Sequence, residues 1–180
     1  MNIGSFGTGD ELVKPLSAWE RLLEERLPLF GHRNWIVVAD AAYPAQSRPG
    51  IETIVSGESQ QTVIEGVLGR LRNCPHVRPI IHVDLELELI EEKDAPRIDA
   101  YRQWLKIALA GLDVTSAMHE EIIARLDRAA QMFSILVLKT SMAIPYTSVF
   151  VELDCAYWDG SSEARLRSVV KSLDTRSKES

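Results

Sequence analysis

Apolar positions along the chain follow two periods. Leu16, Trp19, Leu23 and Leu27 recur at three- and four-residue steps, and Ser17 and Glu20 have the spacing of a capping box, so a helix is predicted from Ser17 to near Gly31. Trp35-Ile36-Val37-Val38-Ala39 is instead an unbroken, β-branched run, read as a strand buried on both faces with Asp40 at its carboxyl end. Tyr43 to Gly50 carries two prolines, a serine and a glycine, which predicts a loop over that strand end, where ligands gather in open α/β sheets. Val63, Ile64, Val67, Leu68 and Leu71 form one stripe of a helix over residues 60–72. From Ile81 to Leu89 the period changes to two, with His82, Asp84, Glu86 and Glu88 opposite the apolar set, which predicts a half-exposed strand. Asp94 is placed to cap a third helix with Pro96 in its first turn and Ile98, Tyr101, Leu105, Ala108 and Leu109 inside. Met118, Ile122, Leu126 and Ala129 align on a fourth, followed by strand-like runs at Ile135 to Leu138 and Ser148 to Leu153. Leu166, Val169, Val170 and Leu173 suit a short amphipathic helix in a polar tail. Interleaved helical and strand patterns predict one layered α/β domain.

Composition narrows the function classes. With 180 residues, 46% hydrophobic and 26% charged, the chain is an ordinary globular domain. Twenty Lys+Arg against 26 Asp+Glu leave a formal charge of -6 with no dense basic run, so nucleic acid is not the expected partner. Cys74 and Cys155 lie far apart without CxxC companions, which predicts neither a zinc site nor a disulfide framework and fits a reducing compartment. The opening residues lack a basic region followed by an apolar one, and no stretch approaches the roughly 20 apolar residues of a membrane span. A soluble, cytoplasmic protein that contacts no membrane is the expectation.

The sharpest chemical signal is Gly31-His32, the buried strand, Asp40-Ala41 and then Tyr43-Pro44-Ala45-Gln46-Ser47. A strand of five or six residues is roughly 17–20 Å long, so His32 and Asp40 meet only through a turn or a neighbouring subunit. On spacing alone a single histidine between a helix and a strand is more often structural. The segment, however, resembles the ribose pyranase and fucose mutarotase family, which interconverts ring forms or anomers of free monosaccharides. Its pattern is a Gly-His pair, a hydrophobic strand, Asp-Ala and a proline loop. The aromatic before Pro44 and the serine after it look more like the fucose branch. Ser134 to Leu138, a turn and Tyr146-Thr147-Ser148-Val149 are similar to the family's late strand and its Tyr-x-Asn signature. Element order is similar over roughly residues 16–158.

The resemblance implies a single layered α/β/α domain around a mixed sheet, spanning residues 15–160 between a flexible start (1–14) and a polar extension (161–180). It also implies a ring-shaped homo-oligomer, a decamer or octamer, with active sites between subunits. It gives His32 the general acid/base role and Asp40, His119, Tyr146 and Ser148 the sugar. Two departures stand out. Ser148 replaces an asparagine, offering a short hydroxyl instead of an amide fork, and Arg33-Asn34-Trp35 follow His32 where the family has acidic residues.

The implied chemistry suits these residue types. Mutarotation removes the proton of the anomeric hydroxyl, protonates the ring oxygen and then reverses both transfers on either face of the carbonyl, so the expectation is that no cofactor or metal takes part. Histidine, with an ordinary pKa near 6.5, holds or releases a proton near neutrality, and positioned acid/base catalysis is worth roughly 10²–10⁴-fold. Asp40 would orient the sugar and Tyr146 would cover its apolar face. A sugar-binding or regulatory protein that has lost turnover is the rival from the binding class. A third reading puts a divalent metal on His82, Asp84, Glu86 and Glu88, although ligands spread along one strand span too far for one ion and a solvated face is the simpler account. Gly4, Gly7 and Gly9 neither follow a strand nor open a helix, which argues against a phosphate loop.

Overall fold

The computed structural model describes residues 15–178, with side chains placed through residue 171; the expected flexible start and its three glycines lie outside the described residues. In chain order the elements are α1 (Ala18–Arg26), β1 (Trp35–Ala39), β2 (Ile51–Val55), α2 (Gln60–Leu71), β3 (Val77–Asp84), α3 (Ile98–Ala108), β4 (Asp113–Ala117), α4 (His119–Ala129), β5 (Ile135–Lys139), β6 (Val149–Cys155) and α5 (Gly160–Lys178). The strands form one mixed sheet in the order β2-β5-β1-β6-β3-β4. β6 runs antiparallel between β1 and β3, while the β1–β5, β2–β5 and β3–β4 pairs are parallel.

Alternation along the strands sorts the core into two layers. Ile36, Val38, Val149, Val151, Leu153 and Ile81 face α1, α2 and α3, where they meet Trp19, Leu23, Val63, Val67, Ile98 and Leu105. Trp35, Val37, Ala39 and Phe150 point the other way, onto Ile122 and Leu126 of α4. The domain is therefore the expected α/β/α arrangement. All five residues of β1 are buried, as its unbroken apolar run predicts. At the start of α1, Ser17 donates through both its amide and its hydroxyl to the Glu20 carboxylate, at 2.7 and 2.9 Å.

Several boundaries differ from the sequence reading. The first helix stops at Arg26, and Pro28 sits in a short 3₁₀ turn over Leu27–Leu29 instead of a continuing α-helix. Strand β3 begins at Val77 and ends at Asp84, and Leu85–Glu88 is a 3₁₀ turn, so the predicted strand to Leu89 is half right. Its polar face is not solvated either: His82 and Asp84 are only 2% and 1% exposed, because β3 lies inside the sheet with α4 over that face. Asp94 does not cap α3; the position before the helix is Arg97, in the left-handed region at φ 78°, and the Glu92 carboxylate receives the Arg97 and Asp99 amides. The tail helix α5 is 19 residues long, with Leu166, Val169 and Val170 about half exposed. Among the described residues no helix is long and apolar enough to cross a membrane.

Candidate active site

The carboxyl ends of β1 and β3 and the amino end of the antiparallel β6 share one edge of the sheet. Register sets Ser148 beside this junction, since Val149 pairs with Val38 of β1 and with Val83 of β3. The Ser148 hydroxyl donates to Asp40 Oδ2 at 2.9 Å and accepts from the Asp40 amide at 3.2 Å. The other oxygen, Asp40 Oδ1, accepts from the Ala42 amide at 2.8 Å. Both polar functions of the Ser148 hydroxyl are thus tied to Asp40. Tyr43, from the loop after β1, is buried against Phe150, and its hydroxyl accepts from Gln46 at 3.0 Å. Burial pushes the Tyr43 phenol up to about 12, with Asp127 adding to the effect.

His119 comes to the same end because it opens α4. Its amide donates to both carboxylate oxygens of Glu86, at 3.1 and 3.0 Å, so an acid from the turn after β3 caps the positive helix end. The imidazole Nδ1 lies 3.1 Å from Asp84 Oδ1. Phe150 and Tyr146 pack edge-on to the ring, at centroid distances of 6.3 and 5.6 Å. Asp84 Oδ2 is buried and has no hydrogen-bond partner among the described residues. Burial pushes the Asp84 carboxyl up to about 6 against the lowering pull of His119, and the Glu86 and Asp40 charges push the same way as burial.

Tyr146 has φ 57°, a left-handed conformation that is costly for a bulky side chain and needs support from its surroundings. That support is a buried polar network behind the loop. The carbonyl of Thr147 accepts from the Tyr101 hydroxyl at 2.7 Å and from the Gln60 amide, and Gln60 also donates to the Tyr101 hydroxyl at 3.0 Å. Thr140 closes the network, with its hydroxyl 2.9 Å from the Ala39 carbonyl and 3.2 Å from Gln60 Oε1. Gln60 and Thr147 are fully buried.

His32 is elsewhere. It precedes β1, so the five-residue strand, roughly 17 Å long, separates it from Asp40 within the chain. Its side chain is 54% exposed, with Nδ1 2.9 Å from Asp154 Oδ1 and Nε2 accepting from Arg33 at 3.1 Å. Partial burial opposes the ionised form of Asp154, but bonds from Arg78, the Cys155 amide and His32 hold its carboxyl below the usual value.

Four of the five residues marked in the sequence, Asp40, His119, Tyr146 and Ser148, therefore gather at one end, and the fifth does not. Asp84 and Glu86 belong to the same cluster, whereas the sequence reading set them only in a metal alternative or on a solvated face; the signal for their place here is an acid at the carboxyl end of an apolar strand, hidden by the apparent alternation. The residues of the alternative metal set are engaged otherwise, His82 with Glu152, Asp84 with the His119 ring and Glu86 with the His119 amide. Among the described residues no three His, Cys, Asp or Glu side chains are grouped to hold a metal ion. A cavity of about 720 Å³ between α2, α3 and the Ser141–Pro145 loop backs onto the Tyr146 segment, yet none of the cluster's side chains lines it.

No family model matches the sequence, and no curated protein matches it. Solved structures do. RbsD of Bacillus subtilis, in its complex with D-ribose, superposes with a TM-score of 0.54 at 16% identity, covering 78% of this chain and 97% of that one. The chain has the RbsD fold. FucU of Bifidobacterium longum superposes with a TM-score of 0.50 at 15% identity, covering 74% of this chain and 94% of that one. The RbsD fold thus accounts for nearly the whole of each neighbour, and this chain adds length to it.

Proposed function

We propose that this protein interconverts anomers or ring forms of a free monosaccharide by acid/base proton transfer, with fucose or a related hexose as substrate. The observation that carries the reading is the gathering of Asp40, His119, Tyr146 and Ser148 at one sheet end, in a chain with the fold of a protein solved with D-ribose. Carboxylate, imidazole, phenol and hydroxyl are the groups that bind a polyhydroxylated ring. In the proposed reaction the anomeric hydroxyl loses its proton and the ring oxygen gains one as the C1–O5 bond breaks. The resulting open aldehyde turns about its C1–C2 bond, and the transfers reverse. Asp40 and Ser148 hold hydroxyls, His119 accepts from another, and Tyr146 lies over the apolar sugar face.

His32 supplies the proton transfer from a neighbouring copy in a ring-shaped homo-oligomer. Its place at the opposite end of the sheet, with 54% of the side chain exposed, supports such a division, because a second protomer can reach the imidazole there although Asp154 and Arg33 engage its two nitrogens within this chain. The fucose preference rests on the Tyr43-Pro44 loop. In the structure that tyrosine is a buried prop of the loop and its ring faces Phe150.

Saturation-transfer NMR over a panel of free monosaccharides tests the reading. The expected result is accelerated anomer exchange for one or a few sugars, lost in His32→Ala and partly regained when His32→Ala and Tyr146→Ala chains are refolded together. Binding without acceleration would identify the rival, a sugar-binding protein. Full activity from a monomer in light scattering would refute the shared site.

A further inference from the structure

We propose that Asp84 is a positioning residue that fixes the tautomer of His119, holding the proton on Nδ1 and presenting a bare Nε2 to the sugar. The inference rests on the sugar-site reading above, which it deepens. His119 is constrained on every side but one: its backbone amide by Glu86, its ring by Phe150 and Tyr146, and its Nδ1 by Asp84. Among the described residues Nε2 has no hydrogen-bond partner, and 29% of the side chain is open to solvent. An ionised carboxylate only accepts hydrogen bonds, so pairing with it puts the proton on Nδ1. Nε2 then carries the lone pair, ready to accept from a sugar hydroxyl. If it takes a proton, the imidazolium is stabilised by the charge behind it.

Packing alone does not account for Asp84. Its carboxyl is buried with one oxygen unpartnered, which is a standing cost, and an apolar side chain in its place would remove that cost. An asparagine would fill the same volume, but its amide can donate as well as accept and so leaves the tautomer open. The groups facing Asp84 are the His119 ring from α4, Glu86 from the turn after β3, Asp40 from the end of β1, and the phenols of Tyr43 and Tyr101. Of these, only His119 stands within hydrogen-bond distance.

Nitrogen-15 NMR of histidine-labelled protein, with His119 assigned through His119→Gln, tests the pair without any sugar. At pH 8 the wild type is expected to show His119 protonated at Nδ1, and Asp84→Asn should raise the Nε2-protonated form to a comparable population. A wild type already protonated at Nε2, or an Asp84→Asn protein with the wild-type tautomer, overturns the proposal. If Asp84→Asn does not fold, a wild-type titration decides: the His119 signals should move together with the Asp84 carboxyl carbon, and independent midpoints refute the coupling.

In the exchange assay Asp84→Asn should lose about 10²-fold in kcat with a smaller change in KM, and its pH profile should lose the acidic limb that Asp84 imposes. Asp84→Glu should recover part of the rate. A changed tautomer with unchanged kcat would overturn the role in the reaction. A wild type that exchanges no sugar would instead sink the proposed function and leave the NMR result standing.

Discussion

The buried acid makes a thermodynamic prediction that does not depend on any substrate. In the folded protein the Asp84 carboxyl is raised from 3.8 to about 6, mainly by burial. The folded state then binds this proton more tightly than the unfolded chain does. Its contribution therefore favours folding fully below about pH 4, declines as pH rises, and is gone above about pH 6, where the buried charge has its whole cost. A shift of about two pKa units corresponds to about 3 kcal/mol at full extent, and about 2 kcal/mol of that falls between pH 4.5 and 8. Asp84→Asn removes this titration while keeping the volume, so the stability difference between variant and wild type should move in favour of asparagine by about 2 kcal/mol over that range. Every other ionisation is common to both proteins and cancels to first order. Urea unfolding at several pH values, followed by the fluorescence of the buried Trp19 and Trp35, supplies both curves. Parallel curves would refute the reasoning, because the buried carboxyl would then not be held at a raised pKa.

Three further outcomes are expected. Ser148→Ala removes a hydrogen bond to an ionised acid and should cost about 1.5–3 kcal/mol in urea unfolding, and sugar affinity measured by calorimetry should fall because Asp40 is released; unchanged values on both counts would separate Ser148 from Asp40. Tyr101→Phe takes one of the two donors from the Thr147 carbonyl and should cost about 1–3 kcal/mol, with looser order at Tyr146 visible in hydrogen exchange of the 146–148 amides. Gly66→Ala would set a new Cβ 2.5 Å from the Trp19 ring, and overpacking of about 1–3 kcal/mol should outweigh a helix-propensity gain of about 1, so a rise in the urea midpoint would contradict the packing.

Sequence alone determined the parts whose environment is uniform. Strand β1 was legible because a central strand buried on both faces needs an unbroken apolar run, and α2, α3 and α4 were legible because each lays a single stripe on the sheet. Edge strands β2 and β4 were not, since Ile51-Glu52-Thr53-Ile54-Val55 and Asp113-Val114-Thr115-Ser116-Ala117 are mostly open to solvent and carry no period that burial would impose. His82 and Asp84 were misread for the opposite reason: a period of two says that faces differ but not what lies over each one, and α4, which begins 35 residues after Asp84, covers the polar face. The candidate site divides the same way. Asp40, His119, Tyr146 and Ser148 could be marked one by one only through the resemblance of short segments to a known family, and their meeting depends on β6 entering antiparallel between β1 and β3, a long-range pairing that no local pattern encodes. The Asp84–His119 pair, the strained Tyr146 and the network beneath it exist only because that pairing buries polar groups together, where each must find a partner or keep its cost.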